Sequence, residues 1–138
     1  MKYFIDSNVV IDAIRSKSAP IIGGHFEKVD AFQVEVPSIV IAELEYGARH
    51  SSNYEKRRNQ YLEFIKDFSI APFTDKEAEA YGRIRQQLTK DGTPIGGNDM
   101  LIAATALANG ATVVTHNVGE FSKVKSLKVE DWTQPGED

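Results

Sequence analysis

The chain contains no cysteine in its 138 residues. This absence excludes disulfide bonds, thiolate metal sites and a cysteine nucleophile, and it agrees with a reducing compartment. Long apolar runs are missing as well, because no stretch approaches the ~20 apolar residues that a membrane-spanning helix needs. The N-terminal segment has an acid inside its apolar part and does not resemble a secretion signal. We therefore expect a cytoplasmic protein.

An excess of positive charge is also lacking, since the formal net charge is −4 at pH 7. This value argues against bulk affinity for nucleic acid, although it says little about local basic patches. The hydrophobic content of 41% and the charged content of 26% are ordinary for a globular domain. The length suits one domain, which we expect over residues 1–132, followed by a frayed tail at 133–138.

Strand patterns alternate with helix patterns along the chain, and this alternation predicts an α/β fold. The fold should be a single domain with a mainly parallel central sheet flanked by helices on both faces. We expect strands over residues 2–6, 32–37, 69–73, 111–115 and 127–132. We expect helices over residues 7–16, 20–29 (a marginal prediction), 38–49, 53–68, 75–90 and 98–110.

Short polar residues predict where several helices begin. Ser7 or Asn8 should cap the first helix, with Asp6 as an alternative cap if it binds no metal. Ser38 should cap the third helix, and Asn53 should begin the fourth. Thr74 and Glu77 have the spacing of a capping box, in which each residue binds the backbone of the other.

Four acidic residues stand inside or beside stretches that should form the core: Asp6, Glu43, Asp99 and Glu120. Ionised carboxylates are rarely buried unless they are paired or bound to a cation. In parallel sheets, sites form beyond the carboxyl ends of the strands, where Asp6 and residues 115–120 should lie. Several carboxylates converging there would repel one another unless a divalent cation joined them, which suggests metal-dependent phosphodiester hydrolysis.

Four segments in order carry a family resemblance: F-I-D-S-N, I-A-E-L-E-Y-G, P-I-G-G-N-D-M-L-I-A-A and V-V-T-H-N-V-G-E-F. With the closing E-D-W, they resemble PIN domains, and specifically the VapC-type toxin ribonucleases of prokaryotic toxin–antitoxin pairs. The resemblance covers essentially the whole chain. It implies a metal-dependent endoribonuclease that acts on tRNA or other structured RNA.

The resemblance also assigns roles to residues. It implies that Asp6, Glu43 and Asp99 bind metal and that Glu120 completes the catalytic set. Many PIN domains carry a further aspartate just after the fourth strand, where this chain has the amide Asn117. The negative charge at that position would then come from Glu120. Three other residues are expected beside the site: Asn117, Thr115 and Ser7.

Glu45 lies two residues from Glu43 and points in a different direction on a helix. Only one of the two can enter the pocket, and we expect Glu45 to be a solvated charge. His25, His50 and His116 are expected to be structural or exposed, so no histidine general base is evident.

Carboxylate oxygens are hard ligands that suit Mg²⁺ or Mn²⁺, and whether one or two ions act stays open. RNA should be held by bases outside the acidic pocket, for which Arg85, Arg83 and Lys90 are the candidates. The resemblance implies an RNA substrate, a homodimer, and a cognate antitoxin of the VapB type that binds the toxin in a hetero-oligomer.

Three other functions use an aspartate at the end of a strand or a PIN-like fold. A phosphatase with an aspartate nucleophile usually has D-x-D after the first strand, whereas this chain has Asp6-Ser7-Asn8. A receiver domain needs an aspartate at the end of a middle strand, which residues 69–73 do not supply. The remaining alternative is a degenerate, non-catalytic PIN-like module that binds RNA or protein.

Overall fold

A computed structural model describes residues 1–136, and within them the chain forms five strands, seven α-helices and a short 3₁₀ helix. The strands are β1 (Tyr3–Ile5), β2 (Val34–Pro37), β3 (Ser69–Ala71), β4 (Thr112–Val114) and β5 (Lys128–Glu130). The α-helices are α1 (Ser7–Arg15), α2 (Ala19–Glu27), α3 (Ser38–His50), α4 (Tyr54–Ile65), α5 (Asp75–Asp91), α6 (Gly97–Ala108) and α7 (Val118–Phe121). The 3₁₀ helix covers Ala31–Gln33.

The five described strands form one parallel sheet in the order β3-β2-β1-β4-β5. Strand β1 is central, with Tyr3 aligned to Val34 of β2 and to Thr112 of β4. Because all strands run the same way, the residues that follow β1 and β4 meet at one edge of the sheet. This confirms the predicted α/β fold, and the sheet is parallel throughout rather than only mainly so.

The core lies on both faces of this sheet, as expected when helices cover a parallel sheet. Phe4, Ile5, Val113 and Val114 are at most 1% exposed. Helix α6 is apolar on most of its circumference and contributes five consecutive buried residues from Ile102 to Ala106, which is typical of a helix enclosed by its neighbours. No helix in the described part of the chain is long and apolar enough to cross a membrane.

Two predicted helix caps differ from the structure. The first helix is capped by Asp6, whose carboxylate accepts a hydrogen bond from the backbone N–H of Ser7, and not by Ser7 or Asn8. The third helix begins directly after Pro37, so Ser38 is its first residue and not its cap. Asn53, predicted to begin the fourth helix, is its cap, because its side chain accepts from the backbone N–H of Lys56 and the helix begins at Tyr54.

Element ends also differ. Helix α4 ends at Ile65 and not at residue 68, and β5 covers three of the six residues expected in the last strand. Helix α7 was not predicted, because four residues are too few to show a helical period. In the predicted tail, the backbone carbonyl of Gln134 lies 2.7 Å from Nε2 of His25, and residues 137–138 lie outside the described range.

The predicted capping box at the start of α5 is confirmed and extends further. Glu77 is 1% exposed, and its carboxylate accepts hydrogen bonds from the backbone N–H and hydroxyl of Thr74 and from the amide of Asn109, after α6. Burial by itself raises the pKa of Glu77, but these hydrogen bonds outweigh it and lower the pKa from 4.5 to about 2. The buried charge therefore joins α5 to the end of α6.

We predict that Glu77→Gln lowers the free energy of unfolding at pH 7 by about 1–3 kcal/mol, because an amide N–H₂ would then face another donor. The pKa is lower in the folded chain, so this stabilisation is present above pH 4.5 and is lost as the pH falls toward 2. Urea unfolding of wild type and Glu77→Gln across this pH range should show that their free energies of unfolding become more alike as the pH falls. The exposed Glu79→Gln should show no such difference, and equal stability of wild type and Glu77→Gln at pH 7 would contradict the prediction.

Candidate active site

The structure brings the four predicted acids together at the carboxyl edge of the sheet. Asp6 follows β1, Glu43 lies in α3, Asp99 lies in the first turn of α6 and Glu120 lies in α7. Asp99 is influenced by all of the others: burial raises its pKa most, and the charges of Asp6, Glu43 and Glu120 raise it further, to about 6. Carboxylates from four separate elements therefore share one electrostatic environment.

Asp6 is the most enclosed of these acids, with 4% of the residue exposed. Its Oδ1 accepts from the backbone N–H of Ser7 at 2.8 Å. Its Oδ2 accepts from Oγ1 of Thr115 at 2.8 Å and from Nδ2 of Asn8 at 3.2 Å. Burial raises the pKa of Asp6, and the bonds from Thr115, Ser7 and Asn8 oppose that rise. The neighbours of Asp6 in the described chain thus include several neutral donors and no ion-pair partner.

Glu43 is also held by neutral groups. Its Oε1 accepts from the hydroxyl of Ser7 at 3.2 Å, and its Oε2 accepts from the amide of Asn98 at 3.4 Å. Burial raises the pKa of Glu43, and the charge of Asp6 raises it further. Ser7 therefore contacts two of the acids, because its backbone N–H binds Asp6 and its hydroxyl binds Glu43.

Glu120 approaches the site from the opposite side. Its Oε2 accepts from the backbone N–H of Gly96 at 3.2 Å, and its Oε1 lies 3.3 Å from Nζ of Lys123. A Cβ at Gly96 would lie 3.5 Å from Oδ2 of Asp99, which is an ordinary contact distance. Gly96, directly before α6, thus lies close to both Glu120 and Asp99.

The segment after β4 contributes uncharged groups. Thr115 is fully buried, and its Oγ1 accepts from the backbone N–H of Asn117 at 2.9 Å while it donates to Asp6. Asn117 precedes α7, but its side chain makes no capping hydrogen bond and is exposed.

Glu45 corrects one expectation, because it is not a freely solvated charge. Its carboxylate accepts hydrogen bonds from the hydroxyls of Tyr61 and Tyr54 and from Arg49, and Nε of Arg58 lies 3.5 Å away. The bond from Tyr61 contributes most to lowering the pKa of Glu45 to about 2, followed by the bond from Tyr54. Glu45 joins α3 to α4, while Glu43 on the same helix faces the other acids.

The basic candidates lie on α5 and are exposed. Nη1 of Arg83 forms an ion pair with Glu79 at 2.6 Å, and Nη1 of Arg85 donates to the hydroxyl of Tyr81 at 3.0 Å. Lys90 lines an open groove of α5 together with Arg83 and Lys125. Their exposure leaves them accessible to a ligand, and their role in RNA binding stays a prediction.

The histidines lie outside the acid cluster. The ring of His25 stacks on Trp132 with centroids 5.5 Å apart, and that of His50 stacks on Tyr46. His116 follows Thr115, and its Nδ1 lies 3.2 Å from Oδ2 of Asp131 and 3.0 Å from Oγ1 of Thr133. These contacts agree with the expected structural or exposed roles.

The donor set can be compared with the needs of a divalent cation. Within residues 1–136, no three His, Asp or Glu side chains are already placed closely enough to hold a metal ion. Mg²⁺ does not require such a cage, because it usually binds through one or two carboxylates and keeps several water molecules. The mutual repulsion that raises the pKa of Asp99 is what a cation would relieve. The oxygen-only chemistry of these acids fits a hard divalent cation.

Sequence reasoning missed two amides that contact the acids. Asn98 donates to Glu43, and Asn8, considered only as a helix cap, donates to Asp6. The signal was their position, since each lies within two residues of a predicted acid at a helix start. Which acid each amide would reach depended on the packing of α3 and β4.

Comparison with known proteins agrees with this geometry. The family model of the PIN domain matches residues 3–127. Ribonuclease VapC2 of Haemophilus influenzae is 36% identical over 132 residues, which cover 96% of this chain and 98% of the relative. The tRNA(fMet)-specific endonuclease VapC of Salmonella typhimurium is 32% identical over 96% of this chain and 98% of its own. The crystal structure of DNA-bound VapBC from Salmonella typhimurium superposes with a TM-score of 0.89 at 31% identity, covering 96% of this chain and 98% of that chain.

We predict that Asp99→Asn stabilises the metal-free protein at pH 7.5, by up to about 1 kcal/mol, the scale of interactions between partly exposed charges. The pKa of Asp99 is raised from 3.8 to about 6 in the folded chain, so its ionisation opposes folding as the pH rises through this range. The gain should therefore be present above pH 6 and disappear near pH 4. Thermal unfolding in EDTA at both pH values measures it.

Asp75→Asn is the matched control, because Asp75 also lies in the first turn of a helix but is exposed and outside the cluster. It should leave stability unchanged or lower it slightly through the helix dipole. A loss of stability in Asp99→Asn at pH 7.5 would show that the four acids do not repel one another as described.

Proposed function

This chain belongs to the PIN-domain family and is a relative of the VapC ribonucleases, and from this premise we propose that it is an endoribonuclease toxin of a toxin–antitoxin pair. It hydrolyses phosphodiester bonds in RNA with the help of Mg²⁺ or Mn²⁺. The observation that carries the proposal is the convergence of three carboxylates on Asp99 of α6: Asp6 after β1, Glu43 of α3 and Glu120 of α7. Such an arrangement opposes folding by itself and is explained by the binding of a cation.

We assign the metal ligands to Asp6, Glu43 and Asp99, and we add Glu120 to the catalytic set. A bound divalent cation supplies positive charge that offsets the charge of the scissile phosphodiester and makes water more acidic. The hydrogen bonds from Ser7 and Thr115 keep the carboxylates of Asp6 and Glu43 in fixed orientations. We assign the fourth position to Glu120, which supplies the charge that the amide of Asn117 lacks.

The substrate is tRNA or another structured RNA. One relative in Salmonella typhimurium is named a tRNA(fMet)-specific endonuclease, which supports a tRNA without identifying the one cut here. RNA carries a negative charge at every phosphate and would be repelled by the acids alone. We assign phosphate contacts to the exposed bases Arg83, Arg85 and Lys90 of α5, which lie on the helix that leads into the loop before Asp99.

The partner is a cognate antitoxin of the VapB type, and the toxin also forms a homodimer. The similar fold from Salmonella typhimurium was solved as a VapBC assembly bound to DNA, which supports a hetero-oligomer of this kind. We place the protein in the cytoplasm, where RNA and antitoxin are both present.

We predict that the purified protein cleaves RNA in the presence of Mg²⁺ or Mn²⁺ and that cleavage stops when EDTA is added. Asp6→Asn should lower kcat by at least about 100-fold, because it removes a charge that holds the cation. Mapping the RNA ends by sequencing, with kcat measured on the identified site, tests this. Asp67→Asn is the control, since Asp67 is exposed and outside the cluster.

Two outcomes would contradict the proposal. Cleavage that continues at full rate in Asp6→Asn would exclude the carboxylate site as its source. Tight RNA binding by the wild type with no cleavage under any divalent cation would favour the degenerate, non-catalytic binding module instead.

We predict that Arg85→Ala weakens RNA binding and flattens its salt dependence. Each lost contact with a phosphate of single-stranded RNA should reduce the slope of log K against log salt by about 0.7. Binding is measured in the Asp6→Asn background, where RNA stays intact. Lys56→Ala, an exposed base on α4, should leave the slope unchanged; an unchanged slope in Arg85→Ala would remove Arg85 from the RNA site.

A further inference from the structure

We propose that Asn8 is a positioning residue that fixes the carboxylate of Asp6 so that only Oδ1 remains open to a divalent cation. The inference rests on the proposed function and names the residue that orients its most buried ligand. Asn8 lies in the first turn of α1, is half-buried, and donates from Nδ2 to Oδ2 of Asp6 at 3.2 Å.

The neighbours of Asn8 determine which way its amide points. Its Oδ1 accepts from the backbone N–H of His116 at 3.1 Å, and a backbone N–H can only donate. On the other side, Nδ2 faces the carboxylate of Asp6 and lies 3.4 Å from Oγ1 of Thr115. An ionised carboxylate can only accept. The reverse orientation would place donor against donor and acceptor against acceptor.

These contacts nearly fill the acceptor capacity of Asp6. An ionised carboxylate offers about four lone-pair sites, two on each oxygen. Oδ2 accepts from both Asn8 and Thr115, whereas Oδ1 accepts only from the backbone N–H of Ser7. The free lone pair is therefore on Oδ1, and a cation that reaches Asp6 binds one oxygen rather than both.

Asn8 also joins two segments that lie 108 residues apart in the sequence. Asp6 continues β1, whose partner β4 leads into His116, and the backbone N–H of Asp6 donates to the carbonyl of Val114 at 2.9 Å. Asn8 adds a side-chain connection just beyond this last strand contact. It holds Thr115 against Asp6, because its amide contacts both.

The test compares Asn8→Ala with wild type by calorimetric titration of Mn²⁺, at a temperature where circular dichroism shows both proteins folded. Loss of a residue that orients a metal ligand typically weakens metal binding about 10–100-fold, and we expect a loss in this range. The KM for RNA should stay unchanged while kcat falls, because the positioning role acts through Asp6. Asn59→Ala, which removes an exposed asparagine from α4, should bind Mn²⁺ as wild type does.

A double-variant cycle separates positioning from a general loss of stability. Thr115→Val removes the other donor to Oδ2 while it preserves the side-chain shape. Because both residues act on the same oxygen, their effects on Mn²⁺ affinity should not add in the double variant. In the Asp6→Asn background, Asn8→Ala should cause little further loss of Mn²⁺ affinity. Additive effects, or an equal loss in the absence of the Asp6 carboxylate, would overturn the proposal.

Two further results are decisive. An unchanged Mn²⁺ affinity in Asn8→Ala overturns the inference. Fast solvent exchange of the Asn8 side-chain amide protons, measured by NMR on the wild type, also overturns it. A wild type that binds Mn²⁺ but cuts no RNA would instead overturn the proposed function. In that case the fall in Mn²⁺ affinity on removing Asn8 still supports the positioning role.

Discussion

Gathering carboxylates at one edge of the sheet opposes folding, because a nearby negative charge makes a carboxyl group harder to ionise, as it does for Glu43 and Asp99. The effect is greatest for Asp99, whose pKa rises to about 6 through burial and through the charges of Asp6, Glu43 and Glu120. The surrounding structure tolerates this repulsion because neutral donors stabilise two of the acids. Ser7, Asn98 and Thr115 donate to Asp6 or Glu43 without cancelling the charge. The site therefore keeps the negative charge that would attract a cation.

Two other glutamates, Glu77 and Glu45, stabilise the fold instead of opposing it. The pKa values of Glu77 and Glu45 are both lowered to about 2, because each carboxylate accepts several hydrogen bonds. These two glutamates join helices to each other, α5 to the end of α6 and α3 to α4. The lowered pKa values of Glu77 and Glu45 therefore mark acids that stabilise the fold, whereas the pKa values of Glu43 and Asp99 are raised by burial and by neighbouring acids. Residue type alone does not reveal this difference, because the direction of the pKa shift depends on the neighbours of each acid.

Much of the fold was predictable because local signals agreed with it. The β1 and β4 strands are short apolar runs, the Thr74–Glu77 capping box marks the start of α5, and Asn53 caps α4. Predictions failed where a local signal competed with its context. Ser38 is a good capping residue, but the chain enters α3 directly from Pro37, and Asp6 takes the capping position that Ser7 and Asn8 were expected to fill. The expectation that Glu45 is solvated failed because its partners Tyr54 and Tyr61 belong to the next helix, and local spacing does not show that they reach Glu45.

The sequence by itself determined the alternation of strands and helices and the four acids that share a site, because hydrophobic period and family motifs are written along the chain. Only the tertiary structure decided which neutral groups face each acid. Asn8 meets the backbone of His116, 108 residues away, and Asn98 meets Glu43 across 55 residues. Such contacts depend on the parallel pairing of β1 with β4 and on the packing of α3 near α6, which spacing does not encode. A hydrogen bond acts over about 3 Å, so its partner is known only once the chain has folded.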